Sequence, residues 1–354
     1  MSNISPIDGR YKKNVSELGE YFSEQALMRH RVMVEVKYLL ALVEHKSFKK
    51  TRVLSKKTFT SLKNLYVDFS LKDFKQIKKI EEKTNHDVNA VVVFISEKLK
   101  RAGRKDLVPL VHFGLTSEDI NNTAYSLMTR GAVDNIMIPS IKSVLKELKT
   151  LSKKTKSLPL LSLTHGQPAT TTTLGKELAV FISRVERELA LIKKMRLLAK
   201  FSGATGSYAA HKVAFPGFSW SVFSKRFINK LGLEQSPVST QIEPGDSLAE
   251  LFHSFVRINN IFSDFSLDMW LYISRNIFVQ KNVVGEVGSS TMPHKINPIF
   301  FENAEGNLDV ANNNFSFLAS RITKSRLQRD LSGSTVFSCL LYTSPSPRDR
   351  QKSR

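Results

Sequence analysis

The chain has 354 residues, 41% of them hydrophobic, and a formal net charge of +21. That length allows two or more domains around a large core, and the apolar content excludes a disordered chain. No apolar run reaches the ~18 residues of a membrane span. The opening residues Met1 to Tyr11 lack the basic region and apolar core of a signal peptide. A cytoplasmic protein with no membrane partner is therefore expected. The lysines are scattered along helical stretches rather than massed in a patch with interleaved aromatics, so no nucleic-acid partner is expected either. Such a field would instead draw in a small polyanionic substrate.

Residues 20–102 contain neither glycine nor proline, and Leu27, Val32, Val36, Leu39 and Val43 recur at helical spacing. Ser70 to Asp73 reads as a capping box that opens a further long helix. A polar island, Thr84 to Asp87, interrupts this region with mediocre helix formers. Gly103 and Pro109 mark a boundary. A new helix is expected near Thr116 to Asp119, with Thr116 and Ser117 where an N-cap belongs. Free N–H groups at such a helix start make a ready carboxylate or phosphate site. A third island runs from Leu163 to Thr170, where Gly166 and Pro168 put His165 on a turn. An imidazole there is a natural proton donor near neutral pH. Residues 176–202 and 246–284 are again free of glycine and proline. The second stretch is apolar on more than one side, so it reads as a helix of ~58 Å buried among others. The island Thr240 to Asp246 before it either binds substrate or caps that helix.

The most informative stretch is Gly285 to Pro298, with two glycines, two prolines, Ser289, Ser290, His294, Lys295 and Asn297. Glycine and proline exclude a helix or central strand there. A serine in such a loop can lose its proton if a lysine and backbone N–H groups stabilise the alkoxide. Taken singly, each island also fits a bland role as a helix end, a cap or a solvated loop. His30, His45, His112, His211 and His253 read as structural or surface residues, and His294 as structural.

The order and spacing of the five islands resemble the aspartase/fumarase lyase superfamily. Asn85 to Val88, Thr116 to Asn122, Thr164 to Thr170 and Phe301 to Asn307, with the opening Ser5 to Tyr11, are similar to its adenylosuccinate lyase branch. The resemblance covers residues 1–337. It implies an all-α fold, an elongated bundle of long helices that forms a tetramer core, with each active site drawn from three subunits. It implies cleavage of a C–N bond with release of fumarate from a nucleotide substrate, with no cofactor and no metal. By match of motif, Ser289 is the base, His165 the acid, and His86 a histidine that holds the substrate. Lys295 and Asn297 would stabilise the charge that builds on a carboxylate. Thr116, Ser117 and Gln241 would bind the succinyl part, and Arg10 and Tyr11 the nucleotide end. Arg329 and Ser334 match further substrate-binding positions, and Asn85, Asp87, Thr164, Gln167 and Asn303 stand beside them in the same motifs. A sister lyase with another succinate-type substrate and a basic nucleic-acid-binding helical protein are the competing readings.

Three domains are expected from the resemblance: an N-terminal helical domain at 1–105, a central bundle at 106–338 whose last helix is incomplete, and a third domain that is missing. Residues 339–354, which include the lone Cys339, resemble the translation of a transposon-based sequencing adapter. They are expected to be a non-native, unstructured tail on a truncated and therefore inactive chain.

Overall fold

A computed structural model of the chain describes residues 9–45, 54–280 and 296–341, with side chains described as far as Phe337. Short helical turns aside, the elements are α1 (Glu24–Glu44), α2 (Lys56–Val67), α3 (Leu71–Thr84), α4 (Asp87–Arg101), α5 (Ser117–Ala132) and α6 (Ile138–Lys154). Then come strands β1 (Pro159–Thr164) and β2 (Gln167–Thr173), helix α7 (Leu174–Lys194), strand β3 (Leu198–Ala199), α8 (Trp220–Lys230) and strand β4 (Glu234–Gln235). Helices α9 (Asp246–Ser274), α10 (Ile299–Ile322) and α11 (Ser332–Leu341) complete the order. No helix among the described residues is long and apolar enough to cross a membrane.

These elements form two compact units. The first takes the described residues of 1–137, 196–247 and 322–354, and the second those of 138–195 and 248–321.

The first unit is centred on α1, which packs against α2, α4 and α5. Val32, Val34, Val36, Leu39 and Leu42 are all fully buried, because α1 is enclosed on several sides. The expected capping box is present at α3: Ser70 Oγ accepts the Asp73 N–H at 3.3 Å, and Asp73 accepts the Ser70 N–H at 3.2 Å. Tyr38 packs edge-on against Phe201 and Phe227, with ring centroids 5.1 and 5.8 Å apart. The short strands β3 and β4 pair in parallel beside this cluster.

In the second unit α6 packs on α7, and Phe315 of α10 stacks between Phe252 and Phe255 of α9. The sequence does not announce its antiparallel hairpin β1–β2. Threonines 170–173 favour a strand, and the register pairs Thr164 with Gln167 across a two-residue loop. A second departure is the length of α9, 29 residues rather than the full stretch to 284, which makes it ~44 Å. It stops because Asn276 takes φ 57°, so the Ile277 N–H reaches back to the Tyr272 carbonyl at 2.9 Å. That is a left-handed helix stop with asparagine where glycine is usual. The expected burial on every side also holds only in part. Phe252, Phe255 and Ile258 are buried, but Leu267, Trp270 and Leu271 of α9 are exposed. Helix α11 runs through Cys339 to Leu341, past the expected break at 338/339, with no proline before Pro345 to stop it. The rest of the expected tail lies outside the described residues.

Candidate active site

In the first unit the polar islands meet at helix starts. Asn85 takes φ 51° and ends α3. His86 then N-caps α4, its Nδ1 accepting the Asn89 N–H at 3.2 Å. Acceptance at Nδ1 leaves the ring proton on Nε2, which lies 3.4 Å from Ser117 Oγ. Asp87 accepts from Arg31 Nη2 at 2.7 Å, and Arg31 Nε donates to Asn121 Oδ1 at 2.8 Å. The Arg31 side chain is only 3% exposed. Burial opposes its charge, but Asp87, Tyr125 and Glu81 outweigh that and raise its pKa. This guanidinium thus clamps the 85–87 island to α5.

At the start of α5 the Thr116 N–H donates to Asp119 Oδ2 at 2.8 Å, half of a capping box. The fully buried Asp119 has its other oxygen, Oδ1, turned to the chain after β3. It accepts the Ser202 N–H at 2.8 Å, the Gly203 N–H at 3.3 Å and the Lys200 ammonium at 2.8 Å. Asn122 accepts the Lys200 N–H and donates to the Lys200 carbonyl, and Ser126 donates to the Leu198 carbonyl. Residues 119, 122 and 126 share one helix face, so a polar stripe of α5 holds residues 198–203. Burial lowers the pKa of Lys200 despite Asp119. Half-buried Glu118 is pushed up to about 7, because burial prevails over the nearby Arg329 and Lys200 cations.

The fourth island joins the same network. Gln241 Nε2 donates to the Ala204 carbonyl at 2.9 Å, which leaves its oxygen to accept Arg329 Nη1 at 2.8 Å. Thr240 donates to the Gln328 carbonyl at 3.0 Å. Glu243 is buried and its pKa rises to about 7, chiefly from desolvation, although Oε2 accepts the Gly245 N–H at 2.8 Å. Ser334 lies half-buried in the first turn of α11. The Arg10 guanidinium sits 5.8 Å from the Tyr11 ring centroid.

The second unit carries the third island at the hairpin tip. His165 and Gly166 form the loop with φ 53° and 75°. Two successive positive φ values make a type I′ turn, whose twist matches the strands. Thr164, His165 and Gln167 are all exposed, and the Gly166 carbonyl accepts Arg275 Nη1 at 3.0 Å. Asn297 is half-buried just before α10, and Asn303 is exposed on it. Ser289 and Lys295, with His294 and most of the 285–298 loop, lie outside the described residues.

A family profile described as lyase matches residues 9–311. Adenylosuccinate lyase of Dictyostelium discoideum is 47% identical over 343 residues, 95% of this chain and 74% of the relative. Adenylosuccinate lyase of Escherichia coli strain K12 is 44% identical over 337 residues, again 95% of this chain and 74% of the relative. The chain belongs to the adenylosuccinate lyase family. Among solved structures, 3-carboxy-cis,cis-muconate lactonizing enzyme from Pseudomonas putida superposes with a TM-score of 0.74 at 21% identity. It covers 92% of this chain and 70% of that one. Fumarate lyase from Mesorhizobium sp. BNC1 gives 0.72 at 18% identity, with the same coverage. The all-α lyase fold is thus common to sequences far more divergent than the family itself.

Sequence reasoning missed Arg31, Asp119 and Lys200 of this lyase. Arg31 carried little signal, because Arg29, Glu35 and Lys37 share its helix and any of them could have been the buried one. Asp119 lay inside an island already singled out, where only Thr116 and Ser117 were given roles. Lys200 carried none, because its partner is distant in sequence and its own segment has no helical period.

Proposed function

We propose that this lyase cleaves adenylosuccinate to AMP and fumarate. In the same way it would cleave the succinylated aminoimidazole carboxamide ribotide to aminoimidazole carboxamide ribotide and fumarate. The observation that carries the reading is 47% identity to an adenylosuccinate lyase across 95% of the chain. The contacts His86–Ser117 and Gln241–Arg329 support it, since the first joins two of the sequence islands and the second ties a third to Arg329.

In this scheme Ser289 takes the proton from the carbon next to a succinyl carboxylate. The charge that develops on that carboxylate is stabilised by Lys295 and Asn297. The C–N bond then breaks, and His165 gives its proton to the departing nitrogen from the opposite side. His86 offers its Nε2–H to the substrate. Thr116 and Ser117 offer hydroxyls and helix N-terminal N–H groups to the succinyl carboxylates, joined by Gln241. Arg10 and Tyr11 take the nucleotide end, and Arg329 and Ser334 are further substrate contacts. Asn85, Asp87, Thr164, Gln167 and Asn303 are further candidate substrate-binding residues from the same motifs. The exposed position of His165 fits a group whose surroundings are completed by other surfaces.

The working form is a cytoplasmic homotetramer in this proposal. Exposed apolar side chains on α9 and α10, such as Trp270, Leu271, Phe300 and Phe317, support burial against further copies.

The test is ultraviolet detection of adenylosuccinate cleavage by the chain joined to the remaining portion of a relative, with AMP and fumarate identified as products. Turnover of fumarate with ammonia or water instead, with adenylosuccinate untouched, would transfer the chain to a sister reaction.

A further inference from the structure

The mechanism above uses Thr116, Ser117, Gln241 and Arg329, but none of these explains why a lysine and an aspartate are fully buried together beneath them. The Lys200 and Asp119 side chains are each 0% exposed. A buried ion pair is weak evidence of stability, since desolvation offsets its attraction and apolar replacements are often neutral. What this pair does have is reach.

Asp119 spends one oxygen on the Thr116 N–H and the other on the Ser202 and Gly203 N–H groups. Lys200 Nζ donates to the Gly203 carbonyl at 2.5 Å as well as to Asp119. The loop from 202 to 206 is therefore tied at its start to the helix end that carries Thr116 and Ser117. Its far side is wedged against the fourth island. A Cβ on Gly206 would stand 2.0 Å from the Ser239 carbonyl oxygen, and Ser202 Oγ lies 3.0 Å from Ser239 Oγ. Between these ends the Ala204 carbonyl accepts Gln241 Nε2. That bond decides which face of the Gln241 amide meets Arg329.

We infer that the buried Asp119–Lys200 pair is a positioning device that sets the spacing between Thr116/Ser117 and Gln241, and thereby the fit of the succinyl end of the substrate. The inference rests on the roles given under Proposed function. Neither residue touches substrate. Each acts through the 202–206 loop, whose backbone it fixes.

The test measures binding of fumarate and of AMP to the full chain by calorimetry. The unsubstituted chain is compared with Lys200→Met and with the double variant Lys200→Met/Asp119→Asn. The double variant leaves no unpaired buried charge, so it is the better placed of the two to fold. The expected result is a loss of about tenfold or more in fumarate affinity with AMP affinity held within about twofold. A purely structural pair would weaken both ligands together. Parallel losses, no loss in a folded variant, or failure of both variants to fold would each overturn the inference. Binding of neither ligand by the unsubstituted chain would instead remove the functional reading on which it rests.

Discussion

The two compact units hold their functional side chains in opposite ways. In the first, His86, Asp87, Thr116, Gln241 and Arg329 are each fixed by at least one hydrogen bond, and the anchors behind them, Arg31, Asp119 and Lys200, are buried. In the second, His165 stands exposed on a two-residue turn, held by backbone conformation and one bond from Arg275 to the neighbouring carbonyl. The difference suits the two tasks proposed for them. Groups that bind must be placed before the ligand arrives, so lost freedom is best removed in advance. A proton donor needs its nitrogen free, and a rigid turn supplies aim without occupying it.

If that division is right, substitutions in the two units should fail differently. The largest effect is expected from His165→Ala. Its kcat for adenylosuccinate should fall by about 10²–10⁴, with KM and melting temperature nearly unchanged. Steady-state kinetics would check this on the chain joined to the remaining portion of a curated relative. A rise in KM alone would move His165 from proton transfer to binding.

Arg31→Met should act on the first unit in the opposite sense. It strips the buried partner from half-buried Asp87 and leaves Asn121 unpaired, at a cost of about 3 kcal/mol in urea unfolding. KM should rise more than kcat falls, because the 85–87 junction loosens.

Acid should also find the first unit. Burial lowers the pKa of both His30 and His211 to about 4. Each is neutral when folded but takes up a proton near 6.5 when unfolded, so the unfolded chain binds more protons between those values. Their contribution is complete above pH 6.5 and is lost as pH falls toward 4, on the order of 3 kcal/mol for His30. Unfolding free energy measured from pH 7 to 4 should drop less steeply in His30→Gln. An identical slope would contradict the assignment.

The smallest effect is expected at the hairpin. Gly166 has φ 75° with Arg275 Nη2 3.4 Å from a built Cβ. Gly166→Ala should cost about 1 kcal/mol and reduce kcat modestly by turning His165. A melt combined with the kinetic assay would read both.

Much of this was legible in the sequence where the rules are local. The capping box at Ser70, the helix start at Thr116 and the turn at His165 all follow from residues within four positions of one another. The hairpin around that turn was hidden because Pro168 argues against a strand and histidine replaces the usual asparagine of a type I′ loop. The end of α9 was hidden because an asparagine in the left-handed region, Asn276, did the work of the missing glycine or proline. The positioning pair was hidden for a different reason. A lysine becomes a buried anchor only when the fold brings Asp119 to it, and no periodicity encodes that meeting.

The most direct measurement is the ultraviolet assay of adenylosuccinate cleavage by the chain joined to a relative's remaining portion, with Ser289→Ala and His165→Ala beside it. The account predicts cleavage to AMP and fumarate that falls sharply in both variants. A soluble, tetrameric protein that leaves adenylosuccinate intact, or full activity in either variant, would contradict it.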